Sequence, residues 1–160
     1  EIRQCAPHLL ATVRVDGKFD EAGSQAFRPL FNYISGDNRS DAKIAMTAPV
    51  LQQPDERQGS WLISFVMPSG FEKDSLPVPT SEIVQVSEQR SMRMAALEYR
   101  GGWSQSRYAE HELKLRSALS NMLLTACGDP RWARHDPPFM PWFLRKNEIL
   151  IPLCESSDTL

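Results

Sequence analysis

The sequence predicts an α+β fold, in which a curved antiparallel sheet, able to close into a distorted barrel, carries two main helices. Short segments alternate apolar and polar residues as half-buried strands do, and two longer segments repeat apolar residues at helical spacing. The order strand, helix, strand hairpin occurs twice along the chain. Two such units can share a single core. The length of 160 residues and the apolar fraction of 41% fit one globular domain.

Each unit is a pseudo-symmetric half of this fold, at about residues 1–68 and 81–153, and a proline-rich connection joins the two. In the first half, an Asp-Gly turn ends the opening strand, and two acidic residues then stand where a helix begins. This helix is predicted over about 21–35, and Pro29 inside it either distorts the first turns or makes the regular helix start near Arg28. Its apolar face consists of Phe27, Leu30, Phe31 and Ile34. The strands of this half are predicted at 9–15, 44–51 and 61–67.

The second half repeats this order with a longer helix, which is predicted over about 104–127. Gly128 and Pro130 stop the helix in the order that is typical of a helix C-terminus. A proline-rich connection over 132–141 leads into the last strand. The apolar stripe of the helix consists of Tyr108, Leu115, Ala118, Leu119, Met122, Leu123 and Ala126. The strands of this half are predicted at 83–86, 92–99 and 147–153.

Composition and charge argue against several classes of protein. The 18 basic and 20 acidic residues give a net charge of −2, so the chain lacks the basic excess of a protein that follows nucleic-acid phosphates. Its longest mostly apolar runs are about six residues long, whereas a transmembrane helix needs ~20. We therefore expect a soluble protein with no nucleic-acid partner and no transmembrane segment.

The three cysteines, at positions 5, 127 and 154, have none of the spacings of a metal site or a redox motif. An odd number of cysteines in a chain of this size does not indicate a disulfide scaffold. We expect buried free thiols, which fit a reducing compartment such as the cytoplasm.

Local motifs of enzymes are missing from the sequence. It contains no nucleophile elbow, no dinucleotide fingerprint and no phosphate-binding loop. His111 and Glu112 begin a string like that of a zinc protease, but Leu115 stands where the second zinc ligand is required. The sequence therefore favours a protein without enzyme activity. The alternative is an enzyme that acts on a bound ligand, which would need a nucleophile or an acid-base pair that converges in the binding cleft.

A candidate binding surface lies near the C-terminus. The segment 137–143 combines three prolines with Phe139, Met140, Trp142 and Phe143, and Arg145 and Lys146 follow it directly. Prolines lower the entropic cost of holding such a loop in place. An apolar wall edged by cations suits a flat apolar ligand that carries carboxylates. The alternative is that these side chains only close one end of the sheet.

Several segments together resemble one protein family. Residues 27–38, 43–50 and 61–68 and the block 136–149 are similar, in order and spacing, to the signature of the SOUL/heme-binding-protein family. The opening Glu1-Ile2-Arg3 resembles the family's first strand. The resemblance covers residues 1 to about 153 and leaves 154–160 outside it, and we expect residues 1–160 to form one domain.

This resemblance implies a distorted β-barrel of two pseudo-symmetric halves that binds heme or another tetrapyrrole, as a carrier or buffer rather than an enzyme. It implies a ligand surface between the first helix and the C-terminal loop. The matching positions are Phe27, Arg28, Leu30 and Phe31 on the helix and Phe139, Met140 and Trp142 on the loop. Arg28 or Arg145 should edge this surface, because guanidinium groups pair well with propionates.

The axial ligand of the iron is a separate question. One branch of the family has a histidine directly after the opening triplet, but here that position is Gln4, and an amide is a poor iron ligand. His135 begins the block beside the candidate surface, so it is the best single candidate for a metal ligand. His8, on the same strand face as Gln4 if that strand is regular, and Cys5 are alternatives.

A second hypothesis is a general small-molecule sensor module. The repeated architecture resembles, by fold analogy only, the effector-binding domains related to gyrase inhibitory proteins. That hypothesis predicts a buried carboxylate in the cleft, with Glu98 and Glu148 as candidates, although each is more simply a surface or edge residue. The sequence leaves the physiological ligand and the oligomeric state open.

Overall fold

Eight antiparallel strands form one curled sheet that carries two helices in the computed structural model, which describes residues 1–154. This architecture confirms the predicted α+β distorted barrel. The helices are α1 (Phe19–Ile34) and α2 (Gln105–Asn121). The strands are β1 (Ile2–Cys5), β2 (His8–Asp16), β3 (Val50–Pro54), β4 (Ser60–Val66), β5 (Gln85–Gln89), β6 (Met92–Arg100), β7 (Arg131–Arg134) and β8 (Lys146–Pro152).

The strand order is β1-β6-β8-β7-β3-β4-β2-β5. If β5–β8 are taken as the counterparts of β1–β4, this order is the same when it is counted from either edge of the sheet. β1 pairs with β6 and β5 pairs with β2, so each half places its first strand beside the other half. β3 and β7 pair at the centre and join the halves. This order supports the proposal that the chain is a duplicated unit, which superposition of the two halves would test.

Both helices lie on one face of the sheet. β2 and β4 pack beneath α1, and β6 and β8 pack beneath α2, in two apolar clusters that meet around Phe19, Trp61 and Trp132. A third apolar cluster, which includes Leu10 and Leu150, covers the opposite face of the sheet, the face without helices, which we call the inner face. Alternate residues of one strand therefore belong to different sides of the sheet.

The core face of α1 differs from the predicted face. Ala22, Ala26 and Leu30 are buried, because the two small alanines let the helix approach the sheet closely, whereas Phe27 and Phe31 turn partly outward. The proline that we expected to distort the first turns lies inside a continuous helix. Neither helix among residues 1–154 is long and apolar enough to cross a membrane.

The second helix is shorter than predicted. α2 ends at Asn121, and Leu123 has a positive φ of 55°, so the chain leaves the helical direction there. Met122 and Leu123 are consequently exposed rather than part of the apolar stripe. His111, which begins the incomplete zinc-protease string, is buried and stacks on the Tyr99 ring, with 3.8 Å between the ring centroids.

Two strand predictions also need correction. β7 lies at the start of the segment 132–141 that was predicted as a proline-rich connection. The strand predicted over 44–51 begins only at Val50, and the residues before it are irregular, although Ile44 still packs in the core. Short strands next to prolines carry too few alternating residues for their pattern to be recognised.

The prediction of free thiols is wrong for two of the three cysteines. Cys127 and Cys154 form a disulfide, with Cα atoms 4.9 Å apart, and Cys5 is free. The end of the α2 segment and the end of β8 lie side by side, because the Cys127 amide donates to the Pro152 carbonyl over 2.8 Å. Since disulfides persist in oxidising environments, the cysteine argument for a reducing compartment no longer holds.

Candidate functional site

The connection between β7 and β8 exposes a row of large apolar side chains. Phe139 is 88% exposed and Trp142 is 63% exposed, while Phe143 and Leu144 are also exposed and Met140 is half-buried. A short 3-10 helix, Trp142–Leu144, shapes the end of this loop. A contiguous apolar surface of this kind on a folded domain commonly marks a binding site.

Arg145 holds the loop in shape. Its Nε donates to the Met140 carbonyl over 2.8 Å, and its Nη2 donates to the Pro138 carbonyl. The same guanidinium group lies over the Trp103 ring, 4.2 Å from the ring centroid. Arg145 is therefore used within the protein, and it is less available to a ligand carboxylate than the sequence suggested.

A second arginine connects this loop to α1. The Arg134 guanidinium lies over the same Trp103 ring at 5.3 Å, and its Nη2 donates to the Gln52 Oε1 over 2.6 Å. It also lies against α1 at Gly23, where a Cβ atom would stand 2.2 Å from the Arg134 Nη1. The contacts thus run from α1 through Arg134, Trp103 and Arg145 to the loop.

The outward side of α1 carries a pair of stacked aromatic rings. Phe27 and Phe31 have ring centroids 5.7 Å apart and an interplanar angle of 16°, and they are 39% and 45% exposed. Arg28 is exposed between them in sequence and makes no ion pair with any of residues 1–154. Leu30, also predicted as a ligand contact, has no exposed surface, so it supports the helix from below.

His135 lies in a different environment. Its Nε2 is 2.6 Å from the Glu148 Oε1, and the Arg3 Nη2 donates to the other oxygen of Glu148 over 2.7 Å. Glu148 is 3% exposed on the inner face of the curl, the face opposite to α1. The structure therefore separates His135 from the Phe27 and Phe31 rings.

Charge pairing explains how Glu148 can be buried. Burial alone would lower the pKa of the Arg3 guanidinium, but the charge of Glu148 and its hydrogen bond raise that pKa above its usual value. The expectation that Glu148 is a surface or edge residue is wrong, because Glu148 is buried, with Arg3 compensating its charge and His135 lying against its other oxygen. Glu98 is exposed, as expected, and pairs with Lys146 over 3.1 Å.

The other candidate ligands at the N-terminus do not form a cluster. Gln4 lies on β1 and donates to the Ser91 hydroxyl, whereas His8 lies on β2 and its Nδ1 donates to the Ala6 carbonyl. The two residues therefore belong to separate strands rather than to one regular strand. Residues 1–154 hold no group of three or more metal-ligating side chains.

Sequence reasoning found the aromatic residues but missed the contacts that hold them together. Trp103 and Arg134 are separated by a whole helix in sequence, and Arg134 occupies a strand that the pattern did not reveal. The Gly-Gly pair before Trp103 is the one local signal of these contacts in the sequence, because it marks a turn at which the chain changes direction.

Solved structures place this chain in a class of α+β domains with the same fold. The C-terminal domain of EcmrR matches with a TM-score of 0.74 at 10% identity, covering 97% of this chain and 96% of that one. The structure of SAV2435 bound to tetraphenylphosphonium matches with a TM-score of 0.55 at 11% identity, covering 96% and 93%. At such low identity these likenesses establish the fold alone.

The sequence comparisons are more specific. Residues 1–152 match the family described as SOUL heme-binding protein. Heme-binding protein 1 of Mus musculus is 30% identical over 156 residues, covering 93% of this chain and 81% of that protein. Heme-binding protein 1 of Xenopus laevis is 29% identical over 144 residues, covering 86% and 75%. The chain therefore belongs to the SOUL heme-binding protein family, as its sequence resemblance indicates.

Proposed function

We propose that this protein is a carrier or buffer that binds heme, or another tetrapyrrole, on the surface formed by the outward side of α1 and the loop 137–144. The observation that carries this proposal is the exposed aromatic surface on both segments, joined through Arg134, Trp103 and Arg145. Flat rings stack favourably on aromatic side chains, and burying them removes apolar surface from water.

The residues present fit a flat macrocycle with carboxylate substituents. Phe27 and Phe31 on the helix and Phe139 and Trp142 on the loop supply apolar area, and Met140 supplies a soft, adaptable contact. Arg28 is the guanidinium group available for a propionate, because Arg145 is already bound to loop carbonyls. A surface site of this kind releases its ligand easily, which suits a carrier or buffer.

We further propose that iron ligation by His135 is not part of this site. His135 pairs with Glu148 on the inner face of the curl, whereas the stacked rings of α1 lie on the other face. When bound, heme would supply its iron and a strong Soret absorption. The protein would hold it by apolar contact and by Arg28, with the axial positions left to weak or exchangeable ligands.

Two further expectations belong to the proposal. The net charge of −2 supports the absence of a nucleic-acid partner. The pairing of Cys127 with Cys154 favours an oxidising compartment over the cytoplasm that the three thiols first suggested.

A hemin titration followed at the Soret band tests the proposal. We expect Phe31→Ser and Trp142→Ser each to weaken binding about tenfold, because each change removes part of the contact area. Arg28→Gln should weaken it about threefold, through the loss of one exposed ion pair. Leu113→Ser is the matched control, since Leu113 is exposed on α2, away from this surface.

The outcome can contradict the proposal in two ways. If Phe31→Ser and Trp142→Ser bind hemin as the unchanged protein does, the surface is in the wrong place. If His135→Ala abolishes the Soret shift while circular dichroism shows an intact fold, the iron is ligated on the inner face instead. We expect His135→Ala, His8→Ala and His111→Ala to leave the band unchanged.

The sensor hypothesis remains a second candidate because of one observation. It predicted a buried carboxylate, and Glu148 is buried; SAV2435, which shares the fold, was solved bound to tetraphenylphosphonium. However, Arg3 already compensates the charge of Glu148 and His135 lies against its other oxygen, so this carboxylate is not free for a cationic ligand. A competition titration would separate the two hypotheses, because tetraphenylphosphonium can displace hemin only if both ligands occupy the same surface.

A further inference from the structure

An open groove lies at the other end of the first half, and it shares no residue with the tetrapyrrole surface. Its volume is about 780 Å³, within the range of sites for small organic ligands. The turn between β1 and β2, the residues before β3, the loop 68–74 and one residue of β5 line it. Four separate segments therefore converge on this groove.

The floor of the groove is apolar. Leu9 and Met67 are buried at its base, and their strands are joined there, because the Met67 amide donates to the Leu9 carbonyl over 2.8 Å. Val66 and Phe71 are half-buried, and Phe71 also packs against the core beneath α1. The floor is thus fixed by the core, while part of the Phe71 ring remains available to a ligand.

The walls of the groove are acidic. Glu72 and Asp74 belong to the loop that follows β4, and Glu88 lies on β5. Because β2 lies between β4 and β5 in the sheet, these carboxylates approach from opposite sides of β2. Lys73 is the one lysine or arginine that lines the groove.

The carboxylates of the groove have no ion-pair partner within residues 1–154. None of the three forms an ion pair with another of residues 1–154, unlike Glu148 and Asp55, which pair with arginines. Carboxylates that line a cleft with low-dielectric walls attract cations there. An apolar floor then selects, among cations, those with an apolar body.

We propose that this groove is a second ligand site, independent of the tetrapyrrole surface, and that it binds small organic cations with an aromatic or otherwise apolar body. The cationic group lies between Glu88 on one wall and Glu72 and Asp74 on the other. The apolar body covers Phe71 and the floor beneath it. An organic anion such as a carboxylate is disfavoured, because one ammonium group and three carboxylates line the groove.

Two fluorescent probes with the same ring system test this proposal in the full chain. Pyrenemethylammonium and pyrenecarboxylate differ in the sign of their charge, and fluorescence anisotropy reports the binding of each. We expect the protein to bind the cation more tightly than the anion. We expect the preference to fall as salt is raised, because salt screens exposed charges.

Variants of the walls and of the floor separate the two parts of the site. Combining Glu72→Gln, Asp74→Asn and Glu88→Gln should weaken binding of the cation about tenfold, since each exposed ion pair contributes modestly. Phe71→Ala should weaken binding about fivefold and keep the preference for the cation. Asp129→Asn, a change at another exposed and unpaired carboxylate, is the matched control and should have no effect.

The proposal is overturned if the triple variant binds the cation as tightly as the unchanged protein. It is also overturned if Trp142→Ser, rather than the groove variants, abolishes binding, because the probe would then occupy the tetrapyrrole surface. Hemin binding by the triple variant should stay unchanged, so the proposal for the groove and the proposal for the tetrapyrrole surface are tested separately.

Discussion

Replacing Cys127 and Cys154 with serine removes the covalent link between the end of the α2 segment and the end of β8. The two backbones are also joined at this point, because the Cys127 amide donates to the Pro152 carbonyl and the Cys154 amide donates to the Thr125 carbonyl. The double variant keeps these hydrogen bonds in the folded state. The main effect of the double variant is therefore to increase the conformational entropy of the unfolded chain.

The size of the effect follows from the length of the loop that the disulfide closes. Cys127 and Cys154 are 27 residues apart in sequence. For a closed loop of this length, the chain-entropy relation gives about 3.6 kcal/mol of stabilisation at 25 °C. In a domain of this size such a loss lowers the melting temperature by roughly 10 °C.

Thermal unfolding followed by circular dichroism measures this effect. We expect the double serine variant to melt about 10 °C below the unchanged protein, and a reductant to lower the unchanged protein to the same value. Cys5→Ser is the control and should respond to reductant as the unchanged protein does, because Cys5 is unpaired.

Two results would refute this reasoning. One is a melting temperature of the unchanged protein that does not respond to reductant. The other is alkylation of all three cysteines in the unfolded, unreduced protein, as seen by mass spectrometry. A single alkylated cysteine, Cys5, is the expected result.

Two other predictions concern the core. Burial raises the pKa of Tyr33 to about 12 and raises the pKa values of Tyr99 and Tyr108 above their usual value. The stability that these phenols contribute is therefore complete below about pH 10, and the contribution of Tyr33 is lost as the pH rises through 12. Absorbance at about 295 nm should therefore show no tyrosinate near pH 10 in the folded protein; tyrosinate formed there, with an unchanged circular dichroism spectrum, would contradict the burial of these rings. Gly23→Ala should lower the free energy of unfolding by about 1 kcal/mol, because displacing Arg134 from a buried hydrogen bond costs more than the gain of about 1 kcal/mol in helix propensity. Urea unfolding measures this change, and a stabilised variant would show that Arg134 moves without loss.

The fold could be predicted from the sequence where apolar residues repeat over enough positions. β2 and α1 carry such patterns, and their predicted and observed positions agree within a few residues. β7 has only four residues, and α2 ends at Asn121, two residues before Leu123 with its positive φ, and neither feature produces a periodic signal. The pairing of Cys127 with Cys154 was missed because it depends on the segments after α2 and after β8 meeting in space. Spacing along the chain does not reveal such a contact.

The candidate site was predictable in its composition but not in its geometry. The apolar residues of the loop 137–143 and of α1 are visible in the sequence, and so is Arg28. Which face of the sheet each side chain occupies depends on strand alternation in β7, a strand the sequence did not reveal. For that reason the sequence placed His135 beside the ligand surface, while in the structure it pairs with Glu148 on the inner face.

The exposure of the loop is maintained by polar contacts, and this bears on its function. A loop that contains Phe139, Trp142 and Phe143 would, if free, collapse onto the nearest apolar surface. Here the prolines restrict its backbone, and Arg145 binds its carbonyls while stacking on Trp103. The aromatic side chains are therefore held outward in the free protein, so the binding that we propose would cost little ordering entropy. Arg145 thus positions the loop, and replacing it should weaken hemin binding without removing any direct contact to the ligand.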